Sequence, residues 1–149
     1  MKEKLRETMF NLSMKGYANA YVPYSNYAVG ASLVTKDNKA FIGANIENAA
    51  YGSTICAERT CINSAYANGV RKEDIYAFAL VTESEEPGTP CGACRQVLSE
   101  LLEPNTPIFI FNTKGDCFET DIATLLPYKF VLEAKDDDNE KNNEEVANV

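Results

Sequence analysis

The chain of 149 residues carries 22 acidic and 14 basic side chains, a net charge of −8, and it contains no histidine. Its length fits one domain that can bury a core without disulfide bonds. The sequence has no basic stripe of the kind that binds nucleic acid, and no apolar run of about eighteen residues that could cross a membrane. We therefore expect a small, neutral or weakly charged ligand, and neither a nucleic-acid nor a membrane partner.

The acidic excess is concentrated at the C-terminal end. Residues 133–149 hold seven acidic side chains and two lysines, a net charge of −5, which leaves −3 on residues 1–132. This segment has too little apolar area to offset the entropy of ordering it. We predict one domain over 1–132 and an acidic, disordered tail over 133–149. The amphipathic beginning of the chain lacks the apolar segment of a signal peptide, which predicts a cytoplasmic protein.

Hydrophobic periodicity organises the first half of the domain. Residues 2–21 have helical spacing, and the apolar side chains expected near one face of that helix are Leu5, Met9, Leu12, Tyr17 and Ala20. Strands are predicted over 27–35 and 40–47, joined as a hairpin by a polar turn. Thr54 is a candidate cap for a helix over 56–67.

The second half alternates strand and helix. Residues 75–82 are apolar almost throughout, which is typical of a strand covered on both faces. The other predicted elements are a loop over 83–90, a helix over 91–102, a strand over 107–112, a short strand near 117–119 and a short helix over 121–126. The order α-β-β-α-β-α-β-β-α predicts an α/β fold, a three-layer α-β-α sandwich around a mixed five-stranded sheet.

Three of the five cysteines stand where two predicted helices begin. Cys91 and Cys94, in PCGACR, are three residues apart, so both sulfurs face the same side of a first helical turn. Cys56, in CAER, opens the other helix. Helix N-termini stabilise thiolates. Three protein ligands are one too few for a closed structural zinc site, and leave a position for water as catalytic zinc sites do.

Three neighbouring charged side chains complete this pattern. Three thiolates around Zn²⁺ leave a net negative charge, so Arg59 and Arg95 are candidates to donate hydrogen bonds to ligand sulfur, with Arg59 preferred. Glu58 is suited to act as general acid and base, since the chain has no histidine to take that role. A metal ligand, one residue, a glutamate and a later P-C-x-x-C is also the general signature of zinc deaminases.

The sequence closely resembles the cytidine deaminases, and within them the small homotetrameric branch with three zinc cysteines. The resemblance runs from about residue 21 to 130 and rests on four blocks in the right order: VPYSNYAVGA, GANIENAAYGSTICAERT, PCGACRQVLSE and DIATLLPYKF. It implies the deaminase fold, a nucleoside substrate, one Zn²⁺ per subunit and a homotetramer.

The resemblance also implies a role for individual residues. The implied zinc ligands are Cys56, Cys91 and Cys94, with Glu58 as the proton carrier. The implied substrate contacts are Asn45 and Glu47 with a ribose hydroxyl, Tyr27 stacked on the base where the family usually has phenylalanine, the Ala57 N–H with the pyrimidine, and Tyr51 and Phe130 in the pocket of a neighbouring subunit. Phe130 is equally suited to core packing, and Tyr27 to a core position with its hydroxyl at the surface. Cys61 and Cys117 are interpreted as small buried apolar residues.

The resulting hypothesis is zinc-dependent hydrolytic deamination of cytidine and deoxycytidine to uridine and deoxyuridine, with release of ammonia, in pyrimidine salvage. Three alternatives remain open on the sequence. They are a related deaminase for another base or a cytosine-bearing antibiotic, a non-catalytic zinc or redox module built on the CxxC pair, and editing of polynucleotides, which the acidic balance disfavours.

Overall fold

Five strands form one mixed sheet in the order β2-β1-β3-β4-β5. The strands are β1 Val29–Thr35, β2 Ala40–Ala44, β3 Ile75–Thr82, β4 Ile108–Asn112 and β5 Cys117–Thr120. Only β3 and β4 are parallel; the other neighbours pair antiparallel. The helices are α1 Lys2–Ala18, α2 Ala57–Ala67, α3 Gly92–Leu101 and α4 Ile122–Leu125, with short 3₁₀ turns at Tyr51–Ser53 and Lys72–Asp74.

The structure, a computed structural model, describes residues 2–134. It confirms the predicted α/β sandwich and its five-stranded sheet, with most element boundaries within a few residues of those expected. The predicted disorder of the acidic tail falls almost entirely on residues outside this range. No helix between residues 2 and 134 is long and apolar enough to span a bilayer.

The sheet separates two apolar layers. On one face, alternate residues of the central strands pack against α1, with Ala79, Val81 and Phe109 fully buried. On the other face, a larger layer that includes Leu80 and Ile110 packs against the remaining helices. Because both faces of β3 are covered, that strand is apolar on both sides, as the sequence predicts.

The predicted face of α1 is only partly right. Met9 is buried, but the other buried positions of the helix are Ser13 and Gly16, whereas Leu12 stays half-exposed. The Ser13 and Ser32 hydroxyls lie 2.8 Å apart, which joins the helix to β1 by a buried hydrogen bond. Leu5 and Tyr17, also predicted for this face, pack partly buried against the same layer, and the small residues let the helix approach the sheet closely.

The side chain of Asn45 ties the end of β2 to the beginning of β1. Its Oδ1 accepts from the Val29 N–H at 2.9 Å, and its Nδ2 donates to the Tyr27 carbonyl at 2.8 Å. Both backbone groups belong to the segment that enters β1. One amide thereby holds the two strand ends in register.

We expect Asn45→Ala to lower the free energy of unfolding by about 1–3 kcal/mol, because it leaves the Val29 donor and the Tyr27 acceptor without their partner. Urea denaturation monitored by circular dichroism measures the change. The matched control is Asn63→Ala, at an exposed position of α2, which should not destabilise the chain. Equal stability of the two variants would contradict the bridging role.

Candidate active site

Two helices deliver three thiols to one point beside the sheet. Cys56 precedes the first residue of α2, Cys91 precedes the first residue of α3, and Cys94 lies in the first turn of α3. Their Sγ atoms all lie within 4.8 Å of one another, and those of Cys56 and Cys91 are 4.0 Å apart. Sulfurs bound at 2.3 Å to a tetrahedral zinc lie about 3.8 Å apart. The donor set therefore fits a zinc ion and leaves its fourth position open.

The thiols of the cluster hold their protons unequally. Cys94 donates a hydrogen bond to Cys56, which, together with the nearby Arg59 guanidinium, lowers the pKa of Cys56 to about 5. The same hydrogen bond, followed by burial and the nearby Glu58, raises the pKa of Cys94. The cluster is thus already set to hold negative charge at Cys56, which is the form that binds a metal.

The two arginines beside the cysteines make different contacts. Arg59 Nη2 donates to Cys56 Sγ at 3.4 Å, which brings a positive charge against the thiols. Arg95 contacts no sulfur; its guanidinium donates to the Pro90 carbonyl and the Leu125 carbonyl, both at 2.8 Å. Arg95, the less favoured of the two candidates, is thus not the arginine that bonds a ligand sulfur; its guanidinium instead fixes the loop before α3.

Glu58 lies in the first turn of α2 and is only 5% exposed. Burial is the main reason that the pKa of this carboxyl is raised above its usual range. A carboxyl of this kind, two residues from a thiol of the cluster, can both accept and return a proton. Cys61, on the same helix, points elsewhere: it is fully buried and its Sγ donates to the Phe41 carbonyl at 3.5 Å.

A cavity of about 260 Å³ opens in front of the thiols. Its walls include Tyr27, Asn45, Cys56, Ala57, Glu58 and Cys91. Among the described residues that line it, none is a lysine or an arginine. The cavity is therefore a small site with one carboxyl and two thiols in its walls, and it suits a ligand without strong negative charge.

Glu47 lies on the segment that follows β2, two residues after Asn45, which lines the cavity. Its Oε1 accepts from the N–H groups of Tyr24 and Ser25, at 3.0 and 3.1 Å. A hydrogen bond from the Ser25 side chain, with the two N–H groups, lowers the pKa of Glu47 below its usual range. The carboxylate is therefore ionised and held in place. The Asn45 and Glu47 side chains both bond backbone groups, a use that the sequence pattern did not indicate.

The predicted aromatic contacts divide into two groups. Tyr27 lines the cavity and is 43% exposed, which rules out the alternative of a buried core aromatic. Tyr51 and Phe130 are 78% and 68% exposed and do not line the cavity of their own chain. The high exposure of Phe130 is inconsistent with core packing.

Several residues of the site escaped the sequence reasoning. Thr82, Gly88 and Thr89 complete the cavity wall opposite α2. Thr82 Oγ1 accepts from the Gly88 N–H at 3.0 Å, which folds the loop after β3 back over the cavity. The sequence identified this segment as a loop but offered no motif that placed it against the thiols. Thr54 does not cap α2, because its Oγ1 accepts from the Asn48 N–H instead, and Cys117 is half-buried rather than buried.

Comparison with known proteins agrees with this geometry. A family model described as "Cytidine and deoxycytidylate deaminase zinc-binding region" matches residues 3–109. The chain is 44% identical over 132 residues to a cytidine deaminase of Halalkalibacterium halodurans, covering 89% of this chain and 98% of that protein. A cytidine deaminase of Sporosarcina psychrophila is 46% identical over 127 residues, with 85% and 92% covered.

A solved structure shares the fold over nearly its whole length. The crystal structure of cytidine deaminase from Burkholderia pseudomallei aligns with a TM-score of 0.81 and 45% sequence identity, covering 83% of this chain and 98% of that chain. The matched region of the family model includes both helix starts and all three clustered cysteines. The chain therefore belongs to the cytidine and deoxycytidylate deaminase family and carries its zinc-binding region.

Proposed function

We propose that the protein is a zinc-dependent cytidine deaminase that converts cytidine and deoxycytidine to uridine and deoxyuridine with release of ammonia. The observation that carries the proposal is a cluster of three thiols of which two, Cys56 and Cys91, line a small cavity together with the buried Glu58 carboxyl, with no lysine or arginine among the described residues of its walls. Thiol redox chemistry needs only a cysteine pair, and it would give no function to the buried carboxyl.

Cys56, Cys91 and Cys94 hold one Zn²⁺ per subunit in this proposal. Zinc, when bound, lowers the pKa of a water molecule at its open position to near neutrality. Arg59 offsets part of the negative charge of the three thiolates through its hydrogen bond to Cys56.

Glu58 moves the protons of the reaction. Its carboxylate accepts a proton from the attacking water and delivers it to ring N3 of the base, while the water oxygen bonds to C4. It then takes the second proton of that oxygen and passes it to the exocyclic amine. The C4–N bond breaks, ammonia leaves and the carbonyl of uridine forms. The raised pKa of Glu58 favours the first step, because a carboxylate with a higher pKa is a stronger base and accepts the proton of water more readily than a solvated carboxylate.

The base is held by the entrance of α2 and by Tyr27. The Ala57 N–H belongs to the first turn of α2, whose N–H groups have no partner within the helix, so it is free to donate to the pyrimidine. Tyr27 offers a ring face at the cavity wall for stacking. Together these contacts select a flat base and orient it toward Glu58.

Asn45 and Glu47 bind the ribose. The two backbone hydrogen bonds that Glu47 receives both go to Oε1, so its second oxygen is suited to accept a sugar hydroxyl. The amide nitrogen of Asn45 has a second hydrogen beyond the one given to the Tyr27 carbonyl. A nucleoside is favoured over a nucleotide, since a 5′-phosphate would find no cation in the cavity wall.

Assembly and cellular setting are the finer parts of the proposal. Tyr51, Phe130 and Leu132 are apolar side chains more than two-thirds exposed, which supports a homotetramer in which Tyr51 and Phe130 enter the pocket of a neighbouring subunit. The five cysteines are free, which suits the reducing cytoplasm. Conversion of cytidine to uridine there places the enzyme in pyrimidine salvage.

The purified protein should deaminate cytidine, and a zinc chelator should abolish that activity. Deoxycytidylate should be a poorer substrate, with kcat/KM at least about 100-fold lower. Its negatively charged 5′-phosphate would enter a cavity whose walls, over the described residues, hold the Glu58 carboxyl and no lysine or arginine, and bringing like charges together costs several kcal/mol. Loss of the cytidine absorbance and released ammonia are measured in parallel. Activity on a cytosine-bearing antibiotic or another base but not on cytidine would contradict the substrate assignment, and binding to single-stranded RNA would favour polynucleotide editing.

Glu58→Gln should retain zinc and lose turnover by about 100- to 10,000-fold, because the amide cannot carry a proton. Steady-state kinetics and elemental analysis on the same preparation separate the two effects. Glu100→Gln, at an exposed position of α3, is the control and should behave as wild type. A Glu58→Gln enzyme with most of its activity would exclude the assigned role.

Cys94→Ser should bind zinc more weakly than wild type, since a serine hydroxyl is a poor ligand for this ion. Elemental analysis after dialysis gives the zinc content per chain. Cys117→Ser changes a half-buried cysteine of β5 outside the cluster and should keep its zinc. Full zinc occupancy in Cys94→Ser would refute its assignment as a ligand.

A further inference from the structure

The N-terminal turn of α2 packs directly against the backbone of one residue of the neighbouring edge strand, β2. Gly43 is buried in β2. A Cβ built on it would come closer than 3.0 Å to three atoms of α2: the Ala57 carbonyl oxygen, the Cys61 nitrogen and the Cys61 Cβ. The first two are the acceptor and donor of one i to i+4 helical hydrogen bond. The helix therefore lies directly on the backbone of β2, with no room for a side chain between them.

Two further contacts fix the same helix to the same strand. Cys61 Sγ donates to the carbonyl of Phe41, two residues before Gly43 in β2. Beyond the strand, Ile46 and Ile55 exchange two backbone hydrogen bonds of 3.0 Å. Ile55 is the residue immediately before Cys56. The strand and its continuation thus hold the chain just before residues 56–58, at Ile55, and just after them, at Cys61.

The other half of the thiol cluster has a separate support. Cys91 and Cys94 lie on α3, whose entrance is fixed by the Arg95 guanidinium through the Pro90 and Leu125 carbonyls. A displacement of α2 away from β2 would therefore move one thiol and the buried carboxyl relative to the other two thiols.

We infer that Gly43 is a positioning residue for the zinc site: its missing side chain sets the distance between α2 and the sheet, and with it the place of Cys56 and Glu58 relative to Cys91 and Cys94. The inference rests on the proposed function for the identity of the ligands. It adds a residue that lines no part of the cavity and touches no substrate.

Gly43→Ala in the full-length, zinc-loaded protein tests this. The added methyl group must push α2 outward, so zinc affinity should fall by about 10- to 100-fold, as for other residues that orient metal ligands. Because a displacement near 1 Å costs about 100-fold in rate, kcat at saturating zinc should fall by that order. Competition with a chromophoric chelator measures the zinc affinity independently of any activity.

Gly30→Ala is the matched control. A Cβ on Gly30 would also come closer than 3.0 Å to a helix backbone, but the atoms belong to Ser13 and Tyr17 of α1, on the opposite face of the sheet. This variant should lower the melting temperature as Gly43→Ala does and leave zinc affinity unchanged. Wild-type zinc affinity in Gly43→Ala, or an equal loss in Gly30→Ala, would overturn the inference.

A second pair of variants keeps the test decisive if Gly43→Ala does not fold. Cys61→Val adds bulk on the helix side of the same contact and should weaken zinc binding more than Cys61→Ala, which adds no bulk and only removes the sulfur with its hydrogen bond to the Phe41 carbonyl. Unchanged zinc affinity in Cys61→Val would overturn the inference. A wild-type protein that binds zinc yet does not deaminate cytidine would instead refute the proposed function and leave the zinc comparison intact.

Discussion

The approach of two helix N-termini to one point beside the sheet is the constraint on which the site depends. A cysteine stands immediately before the first residue of each helix, a third lies in the first turn of α3, and the three Sγ atoms come within 4.8 Å of one another. The unpaired N–H groups and positive dipole ends of two helices converge there, which favours negative charge on the thiols. In a chain without histidine, this arrangement gives a metal site made of sulfur alone, with its charge partly balanced by Arg59.

The site places a cluster of three metal-binding thiols beside a buried carboxyl. Glu58 shares its helix turn with a thiol of the cluster but is turned into the protein, where burial raises its pKa. Cys56 has a lowered pKa because it receives hydrogen bonds from Cys94 and Arg59. The pKa values of two acidic groups two residues apart are thus shifted in opposite directions, by hydrogen bonding for Cys56 and by desolvation for Glu58. One is suited to hold a metal and the other to carry protons.

The sheet acts as the base that supports both helices. Its edge strand β2 supports α2 through a backbone contact at Gly43, and α3 is fixed by the hydrogen bonds of Arg95. The ends of β1 and β2 are joined by the Asn45 side chain, which also lines the cavity. Asn45 therefore both shapes the ligand site and joins the strands, so one side chain contributes to the stability of the sheet and to the wall of the cavity.

The sequence by itself determined the features that short spacings encode. The apolar run of β3, the helix entrances at CAER and PCGAC, and the choice of Glu58 over any histidine follow from local pattern and composition. Only the tertiary structure decided which residues of α1 are fully buried, because the small residues Ser13 and Gly16 join Met9 at the sheet while Leu12 stays half-exposed.

Packing between distant segments decided the rest. The bond of Arg95 to the Leu125 carbonyl, and the meeting of the loop after β3 with Cys56 and Glu58 at one cavity, join residues far apart in the chain. Spacing along the chain determines which side chains share one helix turn. It carries no information on how closely two elements approach, and that approach is set by side-chain volume at contacts such as Gly43 with α2.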